Sequence, residues 1–225
     1  MPAQEILLLV LGWLLGLLSP AVVDAIKHRR DSTQGRAAIF SELDDLATVL
    51  TLASLKATQA SGETDRTHLE WLIARIREFP DTSNYAEMLA SINAVLTLTD
   101  EQMAEANGWI AQNINSSPAL QIYPAPLLDS RVSALWTFDT DLQRKLLTIK
   151  RNLSILDGTV LQLREYFRMT FGDLNPANRE IVDANMRQLY ENYAERARII
   201  VDQVRELPRA GSNNSFKPNP LRGSA

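Results

Sequence analysis

The 225-residue sequence predicts an all-α protein, in which a single N-terminal transmembrane helix precedes a helical bundle with a long antiparallel, coiled-coil-like hairpin. Three observations support this fold class. An uncharged apolar run near the N-terminus is long enough to cross a bilayer. Apolar residues in the remainder recur at alternating steps of three and four, the spacing of one helix face. No segment alternates apolar and polar residues as a half-buried strand does.

The membrane anchor is predicted over residues 1–26. Residues 6–23 carry no charge, and as a helix they would extend about 27 Å, close to the apolar thickness of a bilayer. Lys27, Arg29 and Arg30 follow this run and no basic residue precedes it, which predicts a single-pass protein of a bacterial-type inner membrane, with the N-terminus outside and the bulk of the chain cytoplasmic. A cleaved signal peptide and a buried core helix are the alternatives, and the acidic residue before the run disfavours the first.

Small residues in the anchor predict a contact between membrane helices. Gly12 and Gly16 form a G-x-x-x-G pair, and Ser19 lies one turn further along. Small side chains at this spacing let two backbones approach closely in lipid, which favours a homo-oligomer, although glycine is also common in membrane helices without this role. The following basic segment, residues 27–35, is predicted to hold the topology and to contact lipid headgroups. Its headgroup-binding residues are Lys27, Arg29 and Arg30.

Residues 36–113 are predicted to form the short-helix part of the bundle. Their first helix has apolar residues on one face and ends near Gly62. It either runs unbroken from the membrane or restarts after Gly35, because a polar segment with a glycine precedes it. This part of the chain is therefore expected to pack as several amphipathic helices against the rest of the bundle.

Capping residues divide this region. Asp65 is predicted to cap a helix over residues 66–79, because its carboxylate can accept the free amides of a first turn. Thr99 and Gln102 have the spacing of a capping box, which predicts another helix start. Residues 114–126 contain three prolines and are predicted to form a proline-rich loop.

A long helical hairpin is predicted over residues 127–207. Its first helix, residues 127–171, contains no proline, and its apolar stripe keeps a 3.5-residue period from Leu128 to Phe167. Asp139 interrupts this stripe once. The carboxylate would either fix the helix register through a buried polar contact or turn to solvent.

The second helix is predicted to begin with Asn175 as its cap and Pro176 as its first residue, and to end near Leu207. A disordered tail over residues 208–225 follows. Because this helix is shorter than the first, one end of the apolar stripe needs cover from residues 36–113, from a second copy or from a partner protein. The predicted assembly surface comprises Val132, Leu135, Trp136, Phe138 and Asp139.

The composition excludes several kinds of site. There is no cysteine, so disulfides, thiolate metal sites and cysteine nucleophiles are absent. His28 and His68 are the two histidines, and His68 is predicted to be a surface or capping residue. Phosphate-binding, dinucleotide-binding, nucleophile-elbow and di-iron motifs are missing. We therefore expect no enzymatic activity, no cofactor and no metal, and the net charge of -4 argues against nucleic acid.

These patterns predict a membrane-anchored cytoplasmic helical interaction or assembly protein, which presents a bundle surface to itself or to a protein partner. The alternative is a membrane-acting effector of a toxin or phage-defence type. In such an effector, clustering of the Gly12 and Gly16 helices would disturb the bilayer. Expression of an effector should depolarise cells, whereas an assembly protein should be tolerated.

Overall fold

The computed structural model describes residues 33–112, 120–130, 138–173 and 175–208. No strand occurs in these ranges, so the all-α class is confirmed. Seven α-helices lie within them, and a 3-10 turn at Ser83–Tyr85 separates the second from the third. They are α1 (residues 33–61), α2 (Arg66–Ile76), α3 (Ala86–Leu96), α4 (Asp100–Gln112), α5 (Pro126–Ser130), α6 (Thr140–Met169) and α7 (Pro176–Arg205).

The predicted anchor, residues 1–26, lies outside the described residues, as does the tail from residue 209 onward. Among the described residues, no helix is both long enough and apolar enough to span a bilayer. The anchor and its topology therefore stay predictions. The same applies to the residues predicted to contact another membrane helix or lipid headgroups, namely Gly12, Gly16, Ser19, Lys27, Arg29 and Arg30.

One hydrophobic core joins α1, α6 and α7. Each helix contributes fully buried side chains, such as Leu43, Leu146 and Ile200. The first helix of the short-helix part, α1, is a long helix over residues 33–61. It shares one core with the two hairpin helices. The apolar face predicted for it is buried along its length and comprises Ile39, Leu43, Leu46, Leu50, Ala53 and Ala57.

The two hairpin helices, α6 and α7, pack antiparallel as predicted. Near one end of the pair, Lys145 Nζ donates to the Glu206 carbonyl oxygen at 3.0 Å. Near the other end, Asn185 Nδ2 donates to the Tyr166 hydroxyl at 3.3 Å. Rising numbers on α6 therefore meet falling numbers on α7, as in a helical hairpin with a short connection.

The third long helix, α1, ends before the two hairpin helices do. Its first turn lies beside the end of α7, because Arg36 Nη2 donates to the Pro208 carbonyl oxygen at 2.7 Å. Its last turn lies beside Ala194 and Arg198, which share a cleft with Ser61. The hairpin therefore continues beyond the end of α1 by about 20 Å, at 1.5 Å per residue.

The opposite side of α1 packs on a second core formed with the α2–α4 region. Hydroxyl side chains on α1 are buried here without loss of hydrogen bonds, since each donates to a backbone carbonyl three or four residues earlier. These residues are Thr51, Ser54, Thr58 and Ser61. The apolar members of the second core are Leu55, Leu69, Leu72, Ile73, Ile76, Phe79, Ile92 and Met103.

The predicted caps are confirmed in three places. Asp65 Oδ1 accepts the backbone amide three residues onward, at 2.6 Å. In the capping box, the Thr99 amide donates to Gln102 Oε1 at 2.9 Å, and the Gln102 amide donates to Thr99 Oγ1 at 3.3 Å. Asn175 caps α7, and Pro176 is its first residue. Local chemistry alone accounts for these three helix starts.

Two predicted boundaries of the long helices need correction. Residues 33–35 are already helical and continuous with the rest of α1, so of the two alternatives left open, a restart after Gly35 is wrong. The continuous helix over residues 127–171 is also wrong, because α5 ends at Ser130 and Asp139 starts α6 afresh. Asp139 is extended, with φ −63° and ψ 153°, and its carboxylate accepts the Leu142 amide at 2.8 Å. The stripe is interrupted at Asp139 because the residue is a helix cap, and it neither fixes a register nor lies on a continuing helix.

Replacement by alanine is expected to have opposite effects at two glycines of the long helices. An added Cβ at Gly158 in α6 meets nothing within 4 Å, whereas Gly62 ends α1 with a φ of 75°. We expect Gly158→Ala to raise the free energy of unfolding by about 1 kcal/mol. Gly62→Ala should lower it by about 1 kcal/mol, because an L side chain is strained at this φ. Urea unfolding measures both, and a loss of stability in Gly158→Ala would contradict an open helical site.

Candidate functional site

The assembly surface predicted near the start of the hairpin is described only in part. Val132, Leu135 and Trp136 lie outside the described residues. Phe138 is half-buried and packs against the main core, and Asp139 is exposed as the cap of α6. The length mismatch that suggested this surface is absent, since α6 and α7 have 30 residues each.

Exposed apolar side chains are concentrated instead at the opposite end of the hairpin. We define the hairpin tip as residues 161–173 and 175–187, which lie within the part of the hairpin that extends beyond α1. Of the ten exposed large apolar side chains among the described residues, five lie in the tip. They are Leu161 (56% exposed), Phe167 (42%), Met169 (43%), Phe171 (78%) and Ile181 (59%).

The end of α1 provides a physical reason for this exposure. The α6 stripe is buried at Leu156, Val160 and Leu163, but the next position of the same repeat, Phe167, is 42% exposed. Phe167 contacts Phe171 edge to face, with ring centroids 5.1 Å apart. A hairpin of two helices cannot enclose a wide apolar face without a third element. Among the described residues, the tip therefore has no third helix packed over it.

A shallow groove of about 380 Å³ runs along one side of the tip between α6 and α7. Tyr166, Met169 and Leu189 form its apolar lining, with a rim of amide and carboxylate side chains. The tip also has balanced charge, because it carries four arginines and four acidic residues. These are Arg164, Arg168, Arg179, Arg187, Glu165, Asp173, Glu180 and Asp183. A groove with an apolar lining and a polar rim has the anatomy that is typical of protein interfaces.

A second candidate is a polar cleft of about 430 Å³ between the end of α1, the start of α2 and α7. Its lining includes His68, Glu191, Glu195 and Arg198. The prediction that His68 is a surface or capping residue is wrong, because the side chain is buried and its ring stacks on Trp71 at 5.5 Å. The apolar periodicity of α2 did not predict that His68 is buried, because histidine counts as a polar residue.

The hydrogen bonds of His68 indicate a structural role. The Thr58 hydroxyl donates to the Ser54 carbonyl oxygen at 2.9 Å and lies 3.0 Å from His68 Nε2. Because a hydroxyl has one hydrogen, we assign the ring hydrogen to Nε2, which donates to Thr58. Burial lowers the pKa of His68 below its ordinary 6.5, Asp65 partly opposes this effect, and Arg198 adds to it. In the described part of the chain, no group of three potential ligands could hold a metal.

Polar contacts beside the cleft join α2 to α7. Trp71 Nε1 donates to Asp202 Oδ1 at 2.9 Å, and Arg205 Nε lies 3.2 Å from Glu78 Oε2. Arg205 also approaches Asp44 of α1 at 3.7 Å. These contacts connect the two cores of the bundle, so we assign them a structural role.

Comparison with known proteins supplies no relative. No protein-family model, curated protein or solved structure matches this chain. The described residues by themselves define its structural class, a helical bundle from which a two-helix hairpin projects with several exposed apolar side chains near its end.

Proposed function

We propose that this protein is a membrane-anchored helical interaction protein, which binds a partner through the tip of its α6–α7 hairpin. The observation that carries the proposal is the concentration of exposed apolar side chains in the tip, at Leu161, Phe167, Met169, Phe171 and Ile181. A concentration of exposed large apolar side chains in one part of a folded protein favours an interaction role.

The direction of the helices supports an anchored function. The first turn of α1 lies at the end of the bundle opposite the tip, next to Pro208. A membrane helix at residues 6–23 would therefore hold the bundle by its base. With α1 extending about 43 Å and the tip about 20 Å further, the binding surface lies roughly 60 Å from the first turn of α1.

The polar cleft supports a binding role over catalysis. Its buried histidine uses Nε2 for a hydrogen bond within the fold, to Thr58, and its pKa is lowered. A general base near neutral pH needs a pKa close to the working pH, whereas burial lowers the pKa of His68. We therefore propose that His68 stabilises the junction of α1, α2 and α7.

The proposal is tested by the size of the complex that the full chain forms in membranes. We expect the wild-type chain, extracted in mild detergent, to migrate on native gels well above its monomer. The double variant Phe171→Asp/Ile181→Asp should migrate at a smaller size, because charges would enter the interface. Leu147→Asp is the matched control, since Leu147 is also exposed on α6 but lies near the base of the bundle.

Equal complex size in all three chains would contradict a binding role for the tip, provided that circular dichroism shows equal helicity. Membrane fractionation of the same samples tests the anchor, since extraction of the chain by carbonate would contradict it. Loss of membrane potential on expression, undiminished in the tip variant, would favour the membrane-acting effector.

A further inference from the structure

We propose that the polar cleft between α1, α2 and α7 binds a primary ammonium group, supplied either by a free alkyl diamine or by a lysine side chain. This site is separate from the hairpin tip and does not depend on the function proposed for the tip. The proposal follows from the charge of the cleft, from hydrogen-bond acceptors in it that the fold leaves without a partner, and from its size.

The lining of the cleft carries an excess of negative charge. It contains four carboxylates and one guanidinium, those of Glu63, Asp65, Glu191, Glu195 and Arg198. None of the ion pairs between described residues involves any of these five side chains. Within the described part of the chain the carboxylates are therefore not neutralised by a paired cation, and they would attract a positively charged group.

The interior of the cleft contains acceptors without a partner. His68 is only 6% exposed and uses Nε2 for its hydrogen bond to Thr58. In this tautomer Nδ1 carries a lone pair and can only accept, yet no described residue donates a hydrogen bond to it. The hydroxyl oxygen of Thr64 also lines the cleft and is buried without a hydrogen-bond partner. Such atoms are uncommon in protein interiors, and here they indicate a ligand that donates hydrogen bonds.

An ammonium group matches these acceptors, because it has three donors and no acceptor. Burial lowers the pKa of His68, so the ring is neutral near pH 7 and Nδ1 keeps its lone pair. The end of α1 adds to the attraction, since Thr58 and Ser61 of its last turn line the cleft and the carboxyl end of a helix is partially negative. The start of α2 has the opposite polarity, but the Asp65 carboxylate caps it.

The size of the cleft favours an organic cation over a metal ion. Its volume of about 430 Å³ is in the range of small-molecule sites. Among the described residues, no three potential ligands lie close enough together to hold a metal. An ammonium group on a flexible alkyl chain does not need such convergence, because each of its hydrogens can reach a separate acceptor.

Calorimetric titration of the full chain in mild detergent tests the proposal. The probes are 1,4-diaminobutane and Nα-acetyl-lysine amide, and uncharged 1,4-butanediol is the control ligand. Glu195→Gln removes one carboxylate of the cleft and keeps its shape. Glu180→Gln is the matched control, since both glutamates are exposed on α7 but Glu180 does not line the cleft. Circular dichroism checks that all chains have equal helicity.

We expect saturable binding of at least one ammonium probe and none of the diol. Glu195→Gln should weaken this binding about tenfold, because it removes a charge-assisted contact, and Glu180→Gln should leave it unchanged. Tighter binding of the diamine would assign the site to a free diamine, and tighter binding of the lysine probe would assign it to a side chain of a partner protein.

Three results would overturn the proposal. One is the absence of binding by both ammonium probes. Another is equal weakening in Glu195→Gln and Glu180→Gln, which would indicate general attraction to an acidic protein. The third is binding of the diol as tightly as the diamine, because the cleft would then not recognise the ammonium group. None of these results bears on the hairpin tip, whose test is the size of the native complex.

Discussion

Replacement of Leu146 by aspartate is expected to unfold the bundle. Leu146 is fully buried in the core shared by α1, α6 and α7. The substitution removes a large apolar side chain and leaves a carboxylate without a partner, at a combined cost of at least about 4 kcal/mol. That is a large part of the roughly 5–15 kcal/mol by which domains are stable. Circular dichroism and urea unfolding should show lost helicity or a greatly lowered midpoint.

The adjacent residue provides the control for this prediction. Leu147 is 48% exposed, so Leu147→Asp should change the free energy of unfolding by less than about 1 kcal/mol. Neighbouring positions with the same substitution separate burial from helix propensity and from net charge. Similar losses in both variants would contradict the orientation of α6 in the core.

Acidification is expected to weaken the fold through His68. Burial holds the pKa of the folded histidine below its ordinary 6.5. Below pH 6.5 the unfolded chain therefore binds a proton that the folded chain excludes, and the free energy of unfolding falls with pH until the folded pKa is passed. The loss approaches about 1.4 kcal/mol per pH unit within this window. The neighbouring charged groups are Asp65 and Arg198, and Glu63, Glu191 and Glu195 also line the cleft.

His68→Gln is the matched variant, because an amide can still donate to Thr58 but does not titrate. Urea unfolding of both chains between pH 5 and 7 gives the difference between their free energies of unfolding. The contribution of His28 is the same in both chains and cancels in this difference. That difference should shrink as the pH falls, since only the wild-type chain pays the cost of protonation. A difference independent of pH would show that His68 titrates equally in the folded and unfolded chains.

Local sequence determined the helix class and several helix boundaries of this protein. The caps at Asp65, Thr99 and Asn175 depend on side-chain oxygens that reach amides two or three residues away, so nearby residues contain all the necessary information. The buried face of α1, including Leu43 and Leu50, was likewise evident from its spacing. Helix caps and buried helix faces can therefore be predicted from the sequence without knowledge of the tertiary structure.

Only the tertiary structure decided what those helices do together. The apolar repeat resumes in the same register after Asp139, so periodicity could not reveal that the carboxylate of this residue starts a new helix. Residue type suggested an exposed His68, but the Thr58 hydroxyl on α1 makes its burial tolerable. Apolar side chains of the tip are exposed because α1 ends opposite Ala194, whereas α6 and α7 continue. Predicting this exposure requires comparing the lengths of helices that are far apart in the sequence. Exposure depends on which other element covers a face, and a single helix does not encode that.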